Sequence, residues 1–134
     1  MKNQHEYHLQ KQICRWINLQ YPNLLYDTDT IASVRLTIPQ QIRNKAVQKE
    51  GFKRCDLMIY KPQIINDTMV KAGLLIELKI EKPYKKDGTL KKNEHLEAQQ
   101  KTINDLNKLG YQAQFCWTFE QAISIINEYL KVKK

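Results

Sequence analysis

Several features that assign a protein to a class at sight are missing from this sequence. No apolar run approaches the roughly 20 residues of a membrane-spanning helix, and the start of the chain lacks the apolar stretch of a signal peptide. There are only 3 cysteines, 4 glycines and 4 prolines. These shortages exclude a disulfide scaffold, a collagen and a low-complexity chain. We therefore expect a protein of the reducing cytoplasm, with buried free thiols and no membrane partner.

What remains is an ordinary globular composition with an excess of positive charge. The chain has 134 residues, of which 42% are hydrophobic and 27% are charged. This length suits a single domain with its own core, residues 1–134, ending in a basic tail at 131–134. Lysine and arginine number 22 against 14 acidic residues, a net charge of +8. Such an excess favours a polyanionic partner, although charge runs are also common on solvated loops.

The positive charge is concentrated in two internal segments. Residues 35–54 carry six basic residues and one acid, and residues 81–93 carry five lysines and two acids. We predict contacts to nucleic-acid phosphates there, which set affinity and salt dependence rather than base specificity. Tyr84, in the second segment, either stacks on an exposed base or is a simple loop aromatic. The candidate phosphate contacts are Arg35, Arg43, Lys45, Lys49, Lys53, Arg54, Lys82, Lys85 and Lys86.

The hydrophobic pattern predicts a mixed α/β domain. Strands are expected at 24–29, 55–61, 73–80 and 111–117. Helices are expected at 5–19, 39–49, 94–109 and from Thr118 onward. Asn66-Asp67 is a turn signal between the second and third strands. The order helix, strand, helix, strand, strand, helix, strand, helix indicates one sheet covered by helices.

Polar residues interrupt the apolar faces of these elements at three places. Glu6 points within about 20° of the apolar stripe of the first helix, and Gln99 occupies an apolar-facing position of the third. Glu77 and Lys79 leave the same face of an otherwise apolar strand. Each has an ordinary structural explanation: a helix-end acid, a local hydrogen bond or a wet strand face. Breaks in a local pattern nevertheless tend to mark function.

The pairing of the two central strands brings a second carboxylate to Glu77. If these strands pair antiparallel around the turn, Asp56 lies opposite Glu77. Two opposed carboxylates destabilise a sheet, and a bound divalent cation removes that repulsion. Oxygen ligands without histidine suit Mg²⁺ or Mn²⁺ rather than zinc. Asp56, Glu77 and Lys79 beside basic loops are therefore typical of metal-dependent phosphodiester hydrolysis, in which the lysine orients or deprotonates the attacking water.

The same residues carry a resemblance to a known family. The runs 51–59 and 73–79, followed by Gln99, resemble the PD-(D/E)xK nuclease superfamily. Within it the chain looks like a stand-alone VRR-NUC domain of the kind found in small phage and bacterial proteins. The resemblance covers nearly the whole chain and implies a restriction-endonuclease-like αβββαβ core, a mixed central sheet flanked by helices. Cys55 stands where the family usually has proline, and Leu96 where a small hydroxyl residue is common.

The resemblance also implies an activity and residue roles. The activity is that of a Mg²⁺- or Mn²⁺-dependent DNA endonuclease of repair or recombination, a homodimer selective for branched, Holliday-junction-type DNA. DNA rather than RNA rests on the resemblance alone. A catalytically silent nucleic-acid-binding domain of the same fold is the alternative, and a protein-interaction domain with a basic surface is a third. The metal ligands implied are Asp56, Glu77 and the backbone carbonyl of Leu78, and the catalytic residues are Lys79, Gln99 and Glu6.

Overall fold

Four helices and six strands make up the described part of the computed structural model, which comprises residues 4–30 and 34–131. In chain order they are α1 (Gln4–Gln20), β1 (Tyr26–Thr28), α2 (Ile38–Val47), β2 (Leu57–Ile59), β3 (Gln63–Ile65), β4 (Thr68–Lys71), β5 (Leu74–Leu78), α3 (Glu94–Lys108), β6 (Gln112–Cys116) and α4 (Phe119–Lys131). Every predicted element is present, with shorter strands than expected. Lys131 ends α4 instead of opening a tail, and the rest of the predicted tail lies outside the described residues.

The main sheet has the strand order β1-β2-β5-β6. β2 pairs antiparallel with β1 and β5, whereas β5 and β6 are parallel and are joined through α3. A parallel pair requires such a crossover connection. Together with α1 and α3, these strands give the order α-β-β-β-α-β, which confirms the predicted core. α2 and the separate two-stranded sheet of β3 and β4 are insertions into it.

The register of β2 on β5 is the predicted one. Leu57 lies opposite Ile76, and Met58 lies opposite Leu75. One residue further along the same register, Asp56 falls opposite Glu77. The turn predicted at Asn66-Asp67 is present, but it does not join the two central strands directly. Asn66 and Asp67 have φ angles of 52° and 64°, as a tight hairpin turn requires, and they connect β3 to β4, a short hairpin that the sequence pattern did not predict.

Alternating side chains of β5 divide the core into two clusters. Leu74, Ile76 and Leu78 belong to the cluster that α1 and α4 cover. Leu75 belongs to the other cluster, which α3 covers. Because successive side chains of a strand point to opposite faces, Glu77 faces α3. The sheet therefore directs the acidic residue away from the larger core and towards a single helix.

The outer edge of β6 is bonded by side chains. Asn107, in the last turn of α3, accepts a hydrogen bond from the Ala113 N–H at 3.0 Å and donates one to the Ala113 carbonyl at 2.9 Å. Gln121 of α4 accepts a hydrogen bond from the Trp117 N–H at 2.8 Å. The backbone of Gln112 instead donates towards β5, to the Gly73 carbonyl. Side-chain amides thus satisfy backbone groups that point away from the neighbouring strand.

α2 lies outside both clusters. None of its 10 residues, all of which are described, is buried. A capping box holds its start: the Thr37 hydroxyl accepts from the Gln40 N–H at 3.3 Å, and the Thr37 N–H donates to the Gln40 side chain at 2.9 Å. The helix therefore begins one residue before Pro39, where the sequence pattern had placed its start. Ile38 and Ile42 are exposed, at 71% and 64%.

The three cysteines carry free thiols. Cys55 and Cys116 are buried, as expected, but Cys14 is only half-buried. No helix in the described part of the chain is long and apolar enough to cross a membrane.

Candidate functional site

Asp56 forms one side of the site, immediately before β2. It is 2% exposed, and its Oδ2 accepts a hydrogen bond from the Leu78 N–H at 2.8 Å. Its backbone carbonyl accepts a hydrogen bond from Nε2 of Gln10, on α1, at 3.1 Å. Two elements therefore fix this residue from different sides. The part played by Gln10 was missed in the sequence, because a polar residue on a helix surface breaks no pattern.

Glu77 and Lys79 meet through the side-chain amide of Gln99. Glu77 is 4% exposed and Gln99 is 7% exposed. Nε2 of Gln99 donates to Oε2 of Glu77 at 2.7 Å, and Oε1 of Gln99 accepts from Nζ of Lys79 at 2.9 Å. The residues that the sequence singled out on β5, directly after it and on α3 are thus joined by hydrogen bonds in the order Glu77, Gln99, Lys79.

Two carboxylates share the buried space beside Cys55. Burial raises the pKa of the Cys55 thiol to about 12, and the negative charges of Glu77 and Asp56 contribute to the rise. At Cys116, where burial is the cause, the pKa rises to about 11. The charges of Asp56 and Glu77 thus reach the same side chain. Burying like charges this close together is costly unless a positive group or a cation compensates them.

The chemistry of this donor set fits a hard divalent cation. Within residues 4–30 and 34–131 no group of three or more His, Cys, Asp or Glu side chains is arranged to hold a metal ion. Asp56 and Glu77 offer two carboxylates, and Mg²⁺ is usually bound by one or two carboxylates together with water and substrate phosphates. The Leu78 N–H donates to Asp56, so the backbone of Leu78 lies next to this carboxylate. The Leu78 carbonyl stays a candidate for a further ligand.

Glu6 and Lys79 line a common cavity of about 330 Å³. Glu6 is half-buried on the first turn of α1. The acid that the sequence pattern placed near the site therefore lies on the same cavity as Lys79. His95 and Lys91 also line this cavity. Sequence reasoning missed both, since each is a polar residue in a segment where polar residues are expected.

The predicted phosphate-contact residues are all exposed, and they belong to different elements. Arg43 and Lys45 lie on α2, whereas Lys82 and its neighbours lie in the loop between β5 and α3. Arg54 is in an ion pair with Asp27 at 2.7 Å, so part of its charge is neutralised within the protein. The other basic residues of both segments are exposed, and their contact with a polyanion stays a prediction.

Tyr84 is a packing residue. Its ring lies edge-on to Phe115 and to Trp117, each with ring centroids 6.1 Å apart. Burial raises its pKa. The loop-aromatic interpretation therefore fits the structure, while stacking on an exposed base stays a prediction.

The fold has a counterpart among solved structures. No protein-family model matches the chain, and no curated protein matches it. A solved structure described as a "VRR_NUC domain protein" is similar to it with a TM-score of 0.63 and 20% sequence identity, over 100% of this chain and 94% of the other. The chain has the VRR-NUC fold. This confirms the fold that the resemblance implied, while the roles of single residues stay predictions.

Both departures from the family's sequence pattern are accommodated within the VRR-NUC fold. Cys55, in place of proline, is 3% exposed and packs beside the carboxylates. Leu96 is 9% exposed and joins the cluster beneath α3. The start of α3 is capped instead by Asn93, whose side chain accepts from the Leu96 N–H at 3.0 Å. Neither departure removes a candidate ligand or the lysine.

Proposed function

We propose that this chain is a divalent-metal-dependent nuclease that hydrolyses phosphodiester bonds in DNA. One observation carries the proposal: Asp56 and Glu77 are buried on one face of the sheet, and Lys79 is joined to Glu77 through Gln99. Carboxylates and a lysine in this arrangement are the groups that metal-assisted phosphodiester hydrolysis needs. The VRR-NUC fold supports the same activity.

Asp56, Glu77 and the Leu78 carbonyl are the proposed ligands of Mg²⁺ or Mn²⁺. When bound, such a cation polarises the scissile phosphate and lowers the pKa of a coordinated water. The protein holds both carboxylates before any cation arrives, because the Leu78 N–H orients Asp56 and the Gln99 amide orients Glu77. Partners of this kind fix the geometry of metal ligands.

Lys79 is the proposed catalytic cation. An ammonium group has three N–H donors, and the bond to Gln99 uses one of them. The others can neutralise the phosphate and orient the attacking water. Glu6, across the shared cavity, is proposed to assist by orienting Lys79.

The basic segments are proposed to hold the DNA backbone. α2 and the loop before α3 present exposed lysines and arginines, which suit phosphates without reading sequence. We further propose a preference for branched DNA, in the context of repair or recombination. Symmetric cutting of a junction needs two sites related by a twofold axis, so a homodimer is part of the same proposal.

A cleavage assay with a matched control tests this function. Linear, flapped and four-way-junction DNA are each incubated with Mg²⁺, Mn²⁺ or a chelator. We expect cleavage that requires the metal, and a loss of about 10²–10³-fold in Lys79→Ala. Lys71→Ala, which removes a half-buried lysine from the separate β3–β4 hairpin, should cut as the wild type does.

Three outcomes would contradict the proposal in different ways. Cleavage that persists in chelator or in Lys79→Ala would overturn the mechanism. Tight, salt-sensitive binding without cleavage of any substrate would favour the silent nucleic-acid-binding domain. Binding that is absent at low salt would favour the protein-interaction domain.

A further inference from the structure

The cavity beside Lys79 is separate from the proposed metal ligands. It measures about 330 Å³ and lies among the start of α1, the loop after β5 and the start of α3. The described side chains that line it include neither Asp56 nor Glu77. Its volume is at the lower end of the range for small-ligand sites. It is thus a second concave surface next to the site already described.

The ionisable groups of the cavity favour an anion. Among the described residues that line it, there are three lysines and a histidine against two carboxylates. One of the pairs, Lys91 with Glu81, is 3.6 Å apart and largely exposed, so it neutralises little. The balance of these described lysines and carboxylates is positive by one charge. The groups are Lys79, Lys82, Lys91, His95, Glu6 and Glu81.

His95 gives the cavity a donor on a rigid element. It lies in the first turn of α3, two residues after the N-cap Asn93, as the second residue of the helix. The N-terminus of a helix favours negative charge in a ligand. Glu94 and Glu97 lie in the same turn but do not line the cavity, whereas His95 and Asn93 do. The cavity side of this turn thus carries an imidazole and a side-chain amide, two groups with N–H donors.

Lys79 connects the cavity to the proposed metal site. Its side chain lines the cavity, and its Nζ donates to Gln99, which in turn donates to Glu77. A nucleic-acid strand that passes over Lys79 would therefore place one phosphate at the proposed metal site and a neighbouring phosphate in the cavity. Successive phosphates are the repeating anionic groups of a nucleic-acid strand.

We infer that this cavity is a second phosphate-binding subsite. It holds a phosphate next to the one that is cleaved, with His95, Lys82 and Lys91 as its ligands. The identity of the ligand as a nucleic-acid strand rests on the proposed nuclease function, whereas the preference for phosphate rests on the cavity itself.

A titration followed by NMR tests the subsite without measuring cleavage. The chain has 3 histidines, and His5 and His8 lie on α1 and are not among the described side chains of the cavity. Inorganic phosphate, and separately a dinucleotide with one phosphodiester and a 5′-phosphate, is added to the full chain in chelator. We expect a saturable shift of the His95 ring signals, which His95→Ala assigns by their loss, while the signals of His5 and His8 stay in place.

Variants on either side of the cavity wall sharpen the test. The double variant Lys82→Ala/Lys91→Ala should weaken phosphate binding about tenfold or more, which corresponds to the loss of a hydrogen bond to a charged group. Lys101→Ala is the matched control, because Lys101 pairs with Asp105 elsewhere on α3 at 2.9 Å. In cleavage assays His95→Gln should raise KM for DNA more than it lowers kcat.

Each contrary result has a defined meaning. Equal shifts of all three histidines, or an unmoved His95, would overturn the subsite even if the protein cuts DNA. A shift with inorganic phosphate and none with the dinucleotide would overturn its assignment to a nucleic-acid strand. Binding of both at His95 in a protein that never cuts DNA would remove the nuclease and keep the subsite.

Discussion

The helices α2 and α3 begin alike but are held by different forces. Each starts with a side-chain cap, Thr37 in one and Asn93 in the other. α3 buries four side chains, Gln99 among them, whereas α2, described over its full length, buries none. An isolated helix of this length is marginal in water. Packing therefore distinguishes the two, and it gives Gln99 a fixed position that no residue of α2 has.

The distribution of charge follows the same division. Arg43 and Lys45 lie on α2 without an acidic residue beside them. α3 mixes both signs and directs its buried amide at Glu77. Two of the basic residues proposed to attract DNA thus lie on the exposed helix α2, whereas Gln99, which supports the proposed catalytic residues, lies on the packed helix α3. Affinity and catalysis should be separable by mutation.

The largest effect is expected on α3. In Gln99→Ala, Glu77 and Lys79 lose their common partner, so kcat on cleaved DNA should fall about 10–100-fold. Stability in urea should fall by about 1–3 kcal/mol, because a buried acceptor loses its donor. Gln100→Ala is the control, since Gln100 bonds Asn104 at an exposed position. Equal effects of the two variants would remove Gln99 from the site.

A smaller effect, and of another kind, is expected on α2. The double variant Arg43→Ala/Lys45→Ala should reduce the salt dependence of DNA binding, the slope of log affinity against log salt, by about 2. The free energy of unfolding should change by less than about 0.5 kcal/mol per site, as at other exposed positions. Lys101→Ala/Lys108→Ala on α3 is the matched pair. An unchanged slope in the α2 variant would show that this helix does not contact phosphates.

The smallest effect compares the two caps. Removing an N-cap costs about 1 kcal/mol of helix stability. In Asn93→Ala this loss should appear in the global unfolding measured in urea, because α3 is part of the core. In Thr37→Ala global unfolding should be unchanged, and the amides at the start of α2 should exchange about fivefold faster. The same loss of global stability in both variants would mean that α2 is as firmly packed as α3.

The arrangement of the central strands could be predicted from local pattern. Antiparallel pairing about one turn signal was enough to place Asp56 opposite Glu77, and the observed pairing of Leu57 with Ile76 has the same register. The site residues Glu77 and Gln99 were recognisable because each stands in a position where the pattern calls for an apolar side chain. A polar residue in an apolar position is a local signal, and local signals survive in a sequence.

Other features depend on contacts that no local pattern encodes. The β3–β4 hairpin has strands of 3 and 4 residues, too short for an alternation to stand out. Gln10 reaches Asp56 across 46 positions of the chain. His95 is an exposed polar residue at a helix start, and its place beside Lys79 follows from the path of the loop between them.

The side-chain bonds along β6 have a consequence for this protein at high concentration. β6 is the last strand of the main sheet, and an unpaired strand edge is a template on which another chain can build. Asn107 already occupies both backbone groups of Ala113, and Gln121 occupies the N–H of Trp117. A strand from a second molecule would have to displace these amides before it could add to the sheet. Two uncharged side chains thus occupy backbone groups near the two ends of this edge, which disfavours pairing with another chain there.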